Sequence, residues 1–333
     1  LWRQVRHMLL PKDYIRWRLT GDYATDPSDG SGALLLDVQR REWSSELLDA
    51  LDIPLELLPP LAPAHQVTGM LSDVAAKELT LLPDIPVVAG AADTACSALG
   101  AGAVDAGALL LTISTGGQLV LPISKIAIDR AGRIHTFCGA LEPRAAQAGW
   151  YQMGAILSAG LALRWMRDRV LGLGGDDAYT RMNKWAADVP VGANGLIFLP
   201  YLVGERTPHM DPQARGLFLG LTAGHGRAEL VRSVLEGVAL ACYDAYAVLK
   251  QIGAQPKRIV MAGGGARSTL WRQILADVFD LPVQQLRVAD QSAFGAALLA
   301  GGGIGLLDPA THTWASYGPP VEPNDRLHTL YEG

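Results

Sequence analysis

Arg258-Ile259-Val260-Met261-Ala262, Gly263-Gly264-Gly265 and Ala266-Arg267-Ser268 read in succession as a strand, a tight turn and the start of a helix. The first five residues are an apolar run of strand length. Ser268 stands where an N-cap belongs, ahead of Leu270, Trp271, Ile274, Leu275 and Val278 at helical spacing. A strand that passes through bare glycines into a helix is the building unit of an α/β sheet.

Working outward, Pro282 to Val288 predicts a further strand and Ser292 to Ala300 an alanine-rich helix. Upstream, Arg227 to Ile252 predicts a long helix. Leu230, Val231, Val234, Leu235, Val238, Cys242, Ala245, Val248, Leu249 and Ile252 fall on one stripe, and Gly253 is placed for a C-cap. Gly195 to Leu199 predicts a strand, and the spacing of Met153, Ile156, Leu157, Gly160, Leu161 and Trp165 predicts a helix. Ala108 to Ile113 is a second apolar run that ends on a bare turn, Ser114-Thr115-Gly116-Gly117. Pro86 to Gly90 reads as a brief strand leading through Ala91-Ala92-Asp93 into a small-residue helix, Thr94 to Leu99. Val67 to Leu71 suits a short strand after a connector bearing Pro54, Pro59, Pro60 and Pro63, and Pro11 to Leu51 reads as short helices joined by ordered loops.

A length of 333 residues favours two domains, since single cores stop growing near about 250–300 residues. The boundary is placed near Gly107, giving domains 1–106 and 107–333. With 49% hydrophobic and 18% charged residues the chain should bury a substantial core. A net charge of −5 with scattered basic residues argues against nucleic acid as a partner. No apolar run reaches the roughly 18–20 residues that cross a bilayer. Cys96, Cys138 and Cys242 are too few and too far apart for a disulfide framework, which favours a reducing cytoplasm.

Two strand-terminating bare turns are the strongest chemical signal. Backbone N–H groups without bulky side chains can approach phosphate oxygens closely. Either turn alone also fits glycines that merely end a strand; together they point to a nucleotide. A dinucleotide fingerprint is absent, because Gly263-Gly264-Gly265-Ala266-Arg267 lacks a third spaced glycine and Asp105 replaces it after Gly100-Ala101-Gly102. Asp93, at a strand's carboxyl end, is the candidate general base; the competing reading makes it a cap of the following helix. The histidines, His312 among them, show no metal-ligand spacing, and no G-x-S-x-G is present.

The run Leu199-Pro200-Tyr201-Leu202-Val203-Gly204-Glu205-Arg206-Thr207-Pro208-His209-Met210-Asp211-Pro212, followed by Ala214-Arg215-Gly216 and Phe218-Leu219-Gly220-Leu221, resembles the FGGY carbohydrate kinases, and among them the xylulokinases most. Pro11-Lys12-Asp13-Tyr14, Arg18-Leu19-Thr20-Gly21, Thr25-Asp26 and Gly90-Ala91-Ala92-Asp93 are similar to the same family's first-lobe motifs.

That resemblance implies an actin-like, ribonuclease-H-like α/β fold of two lobes flanking a cleft. It also implies ATP and Mg2+ as cofactors, a small sugar as the other partner, and the transfer of phosphate to D-xylulose in xylose metabolism, with lobe closure excluding water. Ribulose, gluconate and glycerol are the alternative acceptors; a non-catalytic nucleotide-binding or assembly module is the alternative class. By the resemblance Asp93 is the base and stands near the magnesium of Mg-ATP, while Thr94 meets the sugar. Ser114, Thr115, Gly116 and Gly117 form the second phosphate loop, with Ser114 where the family has glycine. Gly263, Gly264, Gly265 and Ser268 hold adenosine, and Gly160 and Arg164 line the adenine pocket. Relatives are often dimers, so a homodimer is compatible. The family opens with an Asp-x-Gly-Thr loop that does not precede Leu1. The expectation is therefore an N-terminally truncated chain with an incomplete first lobe and little or no kinase activity by itself.

Overall fold

The structure is a computed structural model that describes residues 2–144, 147–310 and 314–332; Leu1 and His312 of the sequence reading lie outside these. A mixed sheet of six strands carries the second part of the chain. Its strands are β1 (Ala108–Ile113), β2 (Gly117–Ile123), β3 (His135–Cys138), β4 (Trp150–Ile156), β5 (Arg258–Ala262) and β6 (Val283–Gln285), in the order β6-β5-β1-β2-β4-β3. β5 runs parallel to β1 and β6, whereas β1, β2, β4 and β3 are antiparallel in succession.

Side-chain alternation along β1 and β5 decides which helices cover each face. Leu109, Leu111, Ile113, Ile259 and Met261 enter one buried cluster with Val234, Leu235 and Trp271. Ala108, Leu110, Val260 and Ala262 enter another with Cys96, Leu99, Leu298 and Leu299. With both faces covered, the strands read as unbroken apolar runs instead of alternating ones. Each large side chain buried this way stabilises the fold by about 1.5–3 kcal/mol.

Helices α1 (Pro11–Thr20), α2 (Pro27–Gly30) and α3 (Asp93–Gly100) belong to the first part of the chain. The second part carries α4 (Gly160–Trp165), α5 (Ala178–Ala187), α6 (Arg227–Gln251), α7 (Thr269–Phe279) and α8 (Gln291–Gly303), with α5 packed on α6. The long amphipathic stripe forms α6, whose N-cap residue Gly226 donates its N–H to Glu229 Oε2 at 2.9 Å. Helices α3 and α8 pack backbone to backbone on the second sheet face. A β-carbon at Gly100 would strike the Gln291 carbonyl, and one at Gly295 would strike the Cys96 carbonyl.

Two expectations need correction. Met153 and Ile156 lie in strand β4, and the helix begins only at Gly160 before passing into a wider turn over Met166–Val170. The segment is paired with β2 and β3 and covered on both faces, so Met153 and Ile156, three residues apart, enter opposite buried clusters while their spacing mimics a helical stripe. The Ser114–Gly117 turn closes an antiparallel hairpin, so the neat alternation of strand and helix fails between β1 and β4. Predicted Gly195–Leu199 is realised as Ile197–Leu199, paired with Leu217–Leu219. No helix among the described residues is long and apolar enough to cross a membrane.

Candidate active site

The two bare turns meet at the carboxyl end of β1. Gly263 has φ +79°, and a β-carbon there would run into the Ile113 carbonyl; at Gly265 it would lie 2.7 Å from Ile113 Cγ2. Ile113 is the residue immediately before Ser114, so parallel pairing of β1 with β5 sets the turns side by side. The space beside Gly264 is open, with nothing within 4 Å of where its β-carbon would be.

Helix α4 closes the other side of the hairpin turn. The Thr115 carbonyl accepts from Ala159 N at 3.2 Å and Leu161 N at 2.9 Å, and Gly160 presses against the Ser114 carbonyl. Within the hairpin Ser114 N donates to Gly116 O at 2.9 Å. The amides of Thr115 and Gly116, and those of Gly264 and Gly265, donate to no other described residue. Four such donors on exposed or half-exposed backbone form a cradle suited to anionic oxygens. Ser268 Oγ caps α7 through Trp271 N at 3.1 Å and donates to Asn183 Oδ1 at 2.8 Å, which ties this corner to α5. Arg164 is exposed, one turn beyond Gly160 on α4.

Asp93 is the first residue of α3, three positions after Gly90 with φ +75°. Its Oδ1 accepts from Thr94 N at 2.6 Å and Thr94 Oγ1 at 3.2 Å. One oxygen thus serves the helix start, and Oδ2 accepts from no described residue. Gln118 reaches from β2 to donate its Nε2 to Thr94 Oγ1 at 3.3 Å. Because Gln118 follows Gly117 directly, this bond fixes the Asp93 end of α3 beside the hairpin turn.

A second layer holds the segment before Asp93. Ala92 N donates to Ser28 Oγ at 2.9 Å, and Ser28 in turn donates to buried Asp26. Lys12 Nζ lies 2.7 Å from Asp13, 3.2 Å from Asp26 and 4.0 Å from Asp29, and donates to the Ala89 carbonyl at 3.2 Å. Burial works against the Lys12 ammonium, but Asp26 and Asp13 more than offset it and raise its pKa. Burial pushes the Asp29 carboxyl up to about 6; Lys12 opposes this, while Asp26, Asp13 and Asp93 add to it. Lys12, Asp26, Ser28 and Gln118 were not predicted as site residues. Lys12, Asp13 and Asp26 do stand in motifs quoted for the family resemblance, whereas Gln118 carries no local signal.

Residues 1–100 match the N-terminal domain of the FGGY family of carbohydrate kinases, and residues 119–303 match its C-terminal domain. The chain belongs to the FGGY family of carbohydrate kinases. It is 40% identical over 301 residues to a xylulose kinase of Escherichia coli, covering 90% of this chain and 60% of the relative. Among solved structures, a xyloylose kinase from Brucella ovis superposes with a TM-score of 0.90 at 34% identity, covering 99% of this chain and 67% of that one. A gluconate kinase from Lactobacillus acidophilus gives 0.90 at 30% identity, covering 99% and 66%. This FGGY chain thus spans about two thirds or less of the length of these relatives, and it has their actin-like ATPase fold.

The fit of ATP and magnesium to the residues present differs. The bare, donor-rich turns of this FGGY chain suit a polyphosphate. For magnesium, no group of three or more His, Cys, Asp or Glu side chains among the described residues could hold a metal ion.

Proposed function

We propose that this chain is the nucleotide-binding and base-bearing part of an ATP-dependent sugar kinase acting on D-xylulose. The carrying observation is the meeting of two bare turns at Ile113 and Ser114, with the Gln118–Thr94 bond bringing Asp93 to the same place. In this reading Ser114 to Gly117 bind phosphate, Gly263 to Gly265 with Ser268 bind adenosine, and Gly160 and Arg164 line the adenine pocket. Asp93 Oδ2 takes the proton of the attacking sugar hydroxyl while Thr94 contacts the sugar. Phosphoryl transfer needs positioning and charge neutralisation more than covalent help, which preset backbone donors supply. Magnesium, when bound with ATP, neutralises phosphate charge. The lobe boundary near Gly107, a cytoplasmic location and a homodimer belong to the same proposal.

Gluconate is the second acceptor to weigh, because the gluconate kinase structure superposes as well as the xyloylose kinase does. Calorimetry with Mg-ADP, then coupled ADP detection with xylulose, ribulose, gluconate and glycerol, separates these readings. Xylulose-dependent ADP release that disappears in Asp93→Asn supports the first. Nucleotide binding with no sugar-dependent release favours a non-catalytic module over the kinase reading. Failure to bind nucleotide at all sinks the proposal.

A further inference from the structure

A cleft of about 790 Å³ opens at the opposite end of the sheet from the glycine turns. Its walls are the start of β1 at Gly107, the start of β5 at Arg258, the loop Ser124–Ala127 after β2, and the exit of α6 at Ile252 to Gln255. Strands of this length separate it from the turns by about 16–20 Å. The volume lies in the range of small-molecule sites, roughly 300–1,000 Å³.

Its lining is amphipathic in a particular way. Leu121, Ile123, Ile126, Ile252 and Ala254 supply an apolar floor, and Lys125 and Lys257 supply two cations beside it, while the Arg258 side chain turns to the other sheet face with Val260 and Tyr317. Neither lysine ammonium has an ion-pair or hydrogen-bond partner among the described residues. Arg258 stacks over the Tyr317 ring with 5.3 Å to the centroid and forms no ion pair there. The opposing carboxylate is Asp105, and its Oδ1 already accepts from Gly107 N at 2.7 Å. The two lysines therefore leave the lining net positive in a chain whose overall charge is −5. Two unpaired ammonium groups beside a concave apolar floor suit a dianion attached to a carbon skeleton.

We infer that this cleft binds a small phosphomonoester, its phosphate held by Lys125 and Lys257 and its carbon chain laid on the isoleucine floor. The inference is independent of the kinase proposal. Glycerol 3-phosphate is the probe, titrated calorimetrically against glycerol and against sodium chloride of equal ionic strength. The expected result is one saturable event for the phosphomonoester and none for glycerol. Lys125→Glu with Lys257→Glu should weaken it at least tenfold, and Lys125→Gln with Lys257→Gln by a smaller factor. The distant pair Lys77→Glu with Lys184→Glu, of equal charge change, should leave it within twofold. No saturable event, unchanged affinity in the cleft variants, or equal weakening by the distant pair each overturns the assignment.

Discussion

The Ser114 carbonyl occupies the place where a side chain of residue 160 would begin, so Gly160 is the contact through which α4 seats on the hairpin turn. Gly160→Ala must push helix or turn aside. Overpacking of this kind costs about 1–3 kcal/mol, and the displaced turn should also weaken Mg-ADP binding. Calorimetry on the folded variant reads both effects; an affinity equal to wild type would show that the turn does not touch nucleotide.

Gly263→Ala should be worse for binding than for folding. Its φ of +79° with ψ of −175° is a region that only glycine adopts readily, at a cost of about 1–3 kcal/mol for other residues, and the new β-carbon would meet the Ile113 carbonyl. Thermal unfolding with and without Mg-ADP gives the separation: the stabilisation by nucleotide should shrink more than the apo melting temperature falls.

Asp93→Asn keeps an acceptor for the Thr94 amide but removes the base. In a chain that releases ADP in response to xylulose, turnover should fall by ~10²–10⁴ while ADP affinity stays within about twofold. Undiminished turnover would remove Asp93 from the chemistry.

Ser268→Ala loses an N-cap and the bond to Asn183 together. A stability loss of about 1–2 kcal/mol by denaturant unfolding is expected. No measurable loss would mean that neither bond contributes.

Asp29 gives a pH signature. Its carboxyl titrates near 6 in the folded protein, above the ordinary value of 3.8, so its contribution to stability is complete below about pH 3.8 and is lost as pH rises through about 6. Relative to wild type, Asp29→Asn should therefore gain on the order of 1–2 kcal/mol between about pH 4 and pH 7.5. Parallel unfolding curves across that range would contradict the burial of Asp29 beside Lys12, Asp26 and Asp93.

The fold was legible where chemistry is local. Ser268 with the stripe through Trp271 and Leu275 needs only neighbours in sequence, and so does the long helix ending before Gly253. The β2–β4 pairing was not legible, because Leu119, Val120 and Leu121 are buried on both faces and show no alternation, while Met153 and Ile156, on opposite faces of β4, keep a helical spacing. The site divided the same way. Asp93 and the glycines are singled out by their places at strand ends and by the family resemblance, but the Gln118–Thr94 bond joins a strand to a helix 24 residues earlier, and nothing local to Gln118 marks it.

Helices α3 and α8 touch through their main chains at Gly100 and Gly295, with no layer of side chains between them to slide or compress. Cys96 and Leu99 of α3 share one buried cluster with Leu298 and Leu299 on the same face of the sheet, so the contact works as a weld: whatever displaces α8 displaces the helix that begins at Asp93 with it.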